Sequence, residues 1–80
     1  MNRNEERLRQ AMAAVFEVDE TVIDSASSKE TIATWDSLNT LKLVMVLESE
    51  FGVRYPESEI LQTTNWQAVV SSLRHAGGNI

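Results

Sequence analysis

The stretch from Asp36 to Gly52 constrains the fold most, because it reads as one helix with apolar residues on two faces. Asp36 can cap this helix with its short side-chain oxygen, and Gly52 can end it in the left-handed conformation. At about 100° per residue, the apolar positions separate into a core face and a second, roughly opposite row. The predicted core face is Leu43, Val44, Leu47 and Phe51, and the second row is Leu38, Leu41 and Met45. Since a small domain does not need a second row for its own core, this row predicts a docking surface.

Three further segments are predicted to be helical, so we expect one all-α domain over residues 1–80, folded as a small four-helix bundle. The first helix covers 3–17, with Asn2 or Asn4 as its cap. A short third helix covers 57–61, with Pro56 at its first position. The last helix is expected to start at a capping box with Thr64 as the cap, and to end before 77–78. The segment 17–36 is a long connection, with a helical turn expected near 28–32 and four apolar anchors. These anchors are Val22, Ile23, Ile32 and Trp35.

Composition excludes several classes of function. The net charge of -5, from 12 acidic and 7 basic residues, argues against a nucleic-acid binder. No apolar run approaches the roughly 20 residues that span a bilayer, and the N-terminus lacks a hydrophobic signal core. We therefore expect a cytoplasmic monomer with neither membrane nor nucleic-acid partners.

Catalytic residues are scarce in the sequence. There is no cysteine, and the single histidine, His75, falls near the end of the last helix, where a cation favours the helix dipole. The acidic residues at 17–24 do not follow the spacing of a calcium loop, so no metal site is expected. Without a nucleophile and an adjacent base, we expect that the protein is not an enzyme.

The central helix resembles that of the acyl carrier protein family. The likeness begins with the triplet Asp-Ser-Leu at 36–38 and continues through the apolar pattern of 41–52. It extends over 55–60 and 63–68, so it covers nearly the whole chain. The triplet alone is a weak motif, but its place before such a helix, in a small acidic helical protein, strongly indicates a resemblance to this family.

The resemblance implies that Ser37 carries a 4′-phosphopantetheine arm, attached from coenzyme A by a dedicated phosphopantetheinyl transferase. The thiol of such an arm holds an acyl or aminoacyl group as a thioester, so a chain without cysteine can take part in this chemistry. A serine at the positive end of a helix suits a phosphodiester. Asp36 is implied to assist the modification, in addition to capping the helix.

The resemblance also implies a surface that docks partner enzymes. This surface comprises Leu38, Leu41, Lys42, Met45 and Glu48 on the second helix, with Ile60 on the third. Lys42 stands where family members usually have an acid, so it is expected to select a partner that carries an acid. Trp35 before the triplet is also unusual. Together these departures indicate a stand-alone carrier for a dedicated biosynthetic pathway, served by acyl- or aminoacyl-loading enzymes and by downstream enzymes.

Several alternatives stay open at this point. The protein could be an aminoacyl or peptidyl carrier, or an unmodified helical interaction module that uses the apolar row alone. The row could instead pack against the long loop, with Leu38 the most buried of the three. A small hydrolase or transferase is the remaining alternative. The sequence does not decide whether a cargo would be sequestered between the second and third helices.

Overall fold

The computed structural model describes residues 3–78 and 80, and within them the chain forms four α-helices and no strand. Helix α1 covers Arg3–Phe16, α2 covers Ser37–Phe51, α3 covers Glu57–Ile60 and α4 covers Trp66–His75. The prediction of an all-α fold with three longer helices and a short third one is confirmed. Nowhere in the described part of the chain is a helix long and apolar enough to cross a membrane.

The two ends of α2 have the predicted caps. Asp36 is extended and its side chain accepts from Asn39 N–H, while Gly52 is left-handed with φ 64° and its N–H donates to Glu48 O. The boundaries of the other helices differ slightly from the predictions. Helix α1 ends one residue early because Glu17 adopts φ 57°, which no helix can continue. Pro56 lies just before α3 rather than at its first position, and Leu61 just after its end.

The predicted cap of α4 is wrong by one residue. Asn65, not Thr64, caps this helix, and its side-chain oxygen accepts from Ala68 N–H at 2.7 Å. The backbone carbonyl of Thr64 accepts from Lys29 N–H at 2.9 Å. This bond and an isolated antiparallel bridge between Ser28 and Asn65 tie the long connection to the start of α4. A pairing between distant segments has no local sequence signal. Asn2, one of the two predicted caps of α1, lies outside the described residues, and Asn4 lies inside its first turn.

The long connection is ordered by short local motifs. It contains a 3₁₀ turn at Glu20–Val22, capped by Asp19, whose side chain accepts from the Thr21 N–H at 2.9 Å. The hydrogen bonds from Thr21 lower the pKa of Asp19. Near Ser28 the expected helical turn is present only as two backbone hydrogen bonds onto the Ser28 carbonyl. Three of the four predicted apolar anchors are buried, whereas Val22 is exposed and anchors nothing.

One hydrophobic core joins α1, α2, α4 and the connection. Leu43, Val44 and Leu47 are fully buried as predicted, and Phe51 is partly buried at the edge. The buried residues from the rest of the chain include Leu8, Met12, Phe16, Ile23, Ile32, Trp35, Tyr55, Trp66, Val69 and Leu73. These residues fill the core-facing side of α2, so its opposite side is left to solvent.

The last turn of α2 is held against α1 by one arginine. The Arg7 guanidinium forms an ion pair with the Glu50 carboxylate at 3.3 Å and also donates to the Glu50 backbone carbonyl. Its carbon lies 4.6 Å from the centre of the Phe51 ring, within range of a cation–π contact. These contacts fix the C-terminal end of α2, whereas Ser37 lies at its N-terminal end.

Candidate functional site

Ser37 lies exposed at the first position of α2, directly after the cap. Asp36 Oδ1 accepts from Asn39 N–H at 2.8 Å, and the Asp36 carbonyl accepts from the Thr40 hydroxyl at 2.7 Å. Within residues 3–78 and 80, the hydroxyl of Ser37 makes no hydrogen bond. The helix start is therefore stabilised entirely by its neighbours, and the serine hydroxyl is left available to an external reactant.

The segment that leads into Ser37 is anchored by buried contacts. The indole N–H of Trp35 donates to Thr63 O at 3.2 Å, and its ring stacks on Phe16 with 4.7 Å between centroids. The Thr34 hydroxyl donates to Phe16 O at 2.6 Å, and the Asn39 side chain donates to Thr34 O at 2.8 Å. These bonds hold residues 34–36 to α1 and to the residues before α4. Ser37 is therefore presented from a fixed base rather than from a free loop.

A shallow depression of about 230 Å³ lies beside Ser37. It is lined by Lys29, Trp35, Asp36, Ser37, Thr40, Leu61 and Thr64. The lining combines apolar and hydroxyl groups with the ammonium group of Lys29 and the carboxylate of Asp36, and the positive end of the α2 dipole lies at its edge.

The second apolar row of α2 is exposed, as the sequence predicted. Leu38 is 62 % exposed, Leu41 42 % and Met45 61 %, so none of them packs into the core. The alternative that Leu38 packs under the long loop is wrong. Lys42 is exposed on the same side of the helix. The row starts one residue after Ser37, so a protein that gripped it would have the hydroxyl within reach.

Two of the residues predicted to belong to the docking surface are oriented differently. Ile60 is partly buried and packs against the core, whereas the next residue, Leu61, is 62 % exposed. Glu48 is half-buried, and its Oε2 accepts from Tyr55 N–H at 2.9 Å. Leu61 was missed because a four-residue helix is too short to show a periodic pattern. Val46, 38 % exposed beside Lys42, was also missed, because at about 100° per residue it falls between the second row and the core face.

Tyr55 fixes the loop after α2 and has a perturbed acidity. Burial of the side chain raises the pKa of the phenol, and the nearby carboxylates of Glu48 and Glu59 raise it further. The Ser72 hydroxyl donates to the phenol oxygen at 3.2 Å, which lowers the pKa in part. The phenol is therefore neutral at physiological pH and acts as a structural group.

The single histidine does not assist Ser37. His75 is the last residue of α4, as expected, and its Nδ1 lies 3.3 Å from Glu59 Oε1. No base among the described residues lies within hydrogen-bond distance of the Ser37 hydroxyl. The described residues therefore provide a reachable hydroxyl at Ser37 and an adjacent apolar surface, and none of them pairs the hydroxyl with a base.

A search of protein-family models with this sequence finds no match.

Proposed function

We propose that this protein is an acyl carrier whose Ser37 bears a 4′-phosphopantetheine arm. The observation that carries the proposal is an exposed serine hydroxyl, free of hydrogen bonds within the described chain, at the positive end of a long helix. The resemblance at 36–38 and along α2 supports the same assignment. When present, the arm would supply a thiol that holds cargo as a thioester.

Attachment of the arm requires only a nucleophile from this chain. The Ser37 oxygen attacks the phosphorus next to pantetheine in coenzyme A, and the bond from that phosphorus to the bridging oxygen of the diphosphate breaks. Adenosine 3′,5′-bisphosphate leaves with the bond electrons, and the hydroxyl proton passes to a base of the transferase. Because no base among the described residues lies within hydrogen-bond distance of the Ser37 hydroxyl, a separate phosphopantetheinyl transferase would supply it. Lys29 lines the same depression as Ser37, so its charge and the α2 dipole would favour the resulting phosphodiester, whereas the Asp36 carboxylate would oppose it.

The second part of the proposal is that partner enzymes dock on the apolar row of Leu38, Leu41 and Met45. The partners would be the transferase, the acyl- or aminoacyl-loading enzymes and the downstream enzymes of a dedicated pathway. Because the row lies next to Ser37, an enzyme docked on it would have its active site close to the arm and would not need to contact the bundle core. An aminoacyl or peptidyl cargo would use the same hydroxyl and the same row.

The test is arm attachment in a purified system. The protein is incubated with coenzyme A, magnesium and a phosphopantetheinyl transferase of broad specificity, and its intact mass is measured. Wild type should gain the mass of one phosphopantetheinyl group, and Ser37→Ala should gain nothing. The matched control is Ser49→Ala, which removes an exposed serine elsewhere on α2 and should not affect loading. An unchanged wild-type mass, or a gain on Ser37→Ala, would refute the proposal.

The exposed row also supports a second candidate, an unmodified interaction module. In that case Ser37→Ala would leave partner binding intact, whereas Met45→Glu would abolish it. A wild-type chain that binds partners yet never accepts the arm would favour this candidate.

A further inference from the structure

We propose that the groove between α3 and α4 holds the ammonium end of an aminoacyl cargo, with Glu59 as its counter-ion. This inference deepens the proposed function and rests on it, because it names the class of cargo that an arm on Ser37 would carry. The groove has a volume of about 230 Å³. Six of its seven lining residues are polar, namely Glu59, Gln62, Thr63, Ser71, Ser72 and His75.

The groove lies next to the depression that contains Ser37. Segment 61–64 separates the two, because its outer residues line the depression and its inner residues, Gln62 and Thr63, line the groove. The Trp35 indole holds this segment in place by donating to Thr63 O at 3.2 Å. A phosphopantetheine arm contains two amide units, and its extended length is that of about five residues of extended chain, roughly 17 Å. An arm on Ser37 therefore reaches over the segment into the groove.

Hydrogen-bond acceptors prevail in the groove. The carboxylate of Glu59 is an acceptor only. The Gln62 amide donates to Ser58 O at 3.1 Å, and the Thr63 hydroxyl donates to Ile60 O at 2.7 Å. Because these donors are already used, the two side chains offer a ligand mainly their oxygen atoms. A primary ammonium, which has three donors and no acceptor, matches this set.

Glu59 supplies the charge that the ammonium needs. Its side chain is 26 % exposed, whereas the side chain of its partner His75 is 74 % exposed, with 3.3 Å between His75 Nδ1 and Glu59 Oε1. A bond to so exposed a partner contributes little, so a cargo ammonium can take the carboxylate from the imidazole. Glu59 and His75 are also the only ionisable groups among the residues that line the groove.

Three classes of cargo differ in their fit to the groove. A saturated acyl chain would cover the polar groups without replacing their bonds to water, which is unfavourable. A cargo that ends in a carboxylate would meet the like charge of Glu59, on a chain whose net charge is already -5. An aminoacyl cargo donates to the oxygen atoms and neutralises the carboxylate, so the groove favours this class.

The test exploits the absence of cysteine from the sequence, because Ser37→Cys then provides a single thiol. The full-length variant is alkylated with one of two iodoacetamide reagents. Their chains match in length and in their two amide units, but one ends in a primary ammonium and the other in a methyl group. Proton–nitrogen correlation NMR spectra report which backbone amides each chain end affects.

We expect the ammonium chain to shift the amides of residues 62–63 and 71–72 about twofold more than the methyl chain, since a tethered end has a roughly millimolar effective concentration. Glu59→Gln removes the charge at nearly the same size and should abolish this excess. The matched control is Glu57→Gln, which makes the same change on an exposed residue of α3 outside the groove and should keep the excess. Higher ionic strength should reduce the excess, because salt screens the ion pair.

The inference is overturned if the two chains shift the groove amides equally, or if Glu59→Gln keeps the excess. It is also overturned if Glu57→Gln loses the excess to the same extent, if salt leaves it unchanged, or if the larger shifts lie only on the row of Leu38, Leu41 and Met45. Failure of wild type to gain the arm from coenzyme A would refute the carrier proposal alone, because alkylation of Ser37→Cys needs no transferase.

Discussion

Replacement of Asp36 separates its structural role from its proposed role in arm attachment. The side chain accepts from Asn39 N–H at 2.8 Å and lies exposed at the positive end of α2. Asp36→Ala removes both the acceptor and the charge. Asp36→Asn removes the charge but keeps an acceptor oxygen of the same reach. A comparison of the two variants therefore measures the hydrogen bond apart from the charge.

The expected magnitudes follow from the geometry of the cap. Loss of a cap acceptor costs about 1 kcal/mol of unfolding free energy, and loss of an exposed charge at a helix start costs about 0.3 to 1 kcal/mol. For a domain of this size, 1 kcal/mol lowers the Tm by roughly 4 to 8 °C. We expect Asp36→Ala to lower the unfolding free energy by about 1 to 2 kcal/mol, and Asp36→Asn by about 0.5 kcal/mol.

The assay is urea and thermal unfolding followed by circular dichroism at pH 7. Ser37→Ala is the control, because the Ser37 hydroxyl makes no hydrogen bond in the described chain. The unfolding free energy of this variant should stay within about 0.5 kcal/mol of wild type. Equal losses for Asp36→Ala and Asp36→Asn would refute the view that the cap hydrogen bond stabilises α2. If Asp36→Asn folds well but accepts the arm slowly, the carboxylate serves the transferase. Equal loading rates would leave Asp36 with capping alone.

Three further predictions concern positions away from the cap. Because burial raises the pKa of Tyr55 above its ordinary value of about 10, the folded state favours the neutral phenol, so the free energy of unfolding should fall as pH rises above about 10. Tyrosinate absorbance reports the pKa of this single tyrosine, and the Tyr55→Phe variant should lack the pH dependence. Residues 17 and 52 both have left-handed backbone, so Glu17→Gly should raise the unfolding free energy by about 0.5 to 1 kcal/mol and Gly52→Ala should lower it by about 1 kcal/mol. Changes of the opposite sign in urea unfolding would contradict this reasoning. Trp35→Phe should cost about 1 to 3 kcal/mol, because the buried Thr63 carbonyl loses its donor; a neutral result in the same assay would show that this bond contributes nothing.

Periodic and local signals in the sequence predicted most of α1, α2 and α4. The two faces of α2 were assigned correctly because its 15 residues sample the helical period several times. The same signal placed Leu38, Leu41 and Met45 in solvent. The caps Asp36 and Gly52 were found because each is a local choice of residue with a known conformation.

The sequence could not predict features that depend on contacts between distant segments. Thr64 was predicted as the cap because Thr64 and Gln67 have the spacing of a capping box, but Asn65 caps α4. The bond from Lys29 N–H to the Thr64 carbonyl has no sequence signature. Glu48 was assigned to the docking surface from the family resemblance, whereas in the folded chain its carboxylate accepts from Tyr55 N–H. Periodicity also failed for the four-residue α3, where Ile60 turned inward.

The pairing of Ser28 with Asn65 has a consequence for the order of folding. Together with the bond from Trp35 to Thr63, it makes the surroundings of Ser37 depend on residues that the ribosome adds long after the serine itself. Contacts between segments so far apart form late, because a large loop has to close first. A nascent chain that ends before Thr63 therefore cannot form either of these contacts. The surroundings of Ser37 therefore reach their folded geometry only once residues 63–65 have been synthesised and have packed against the long connection.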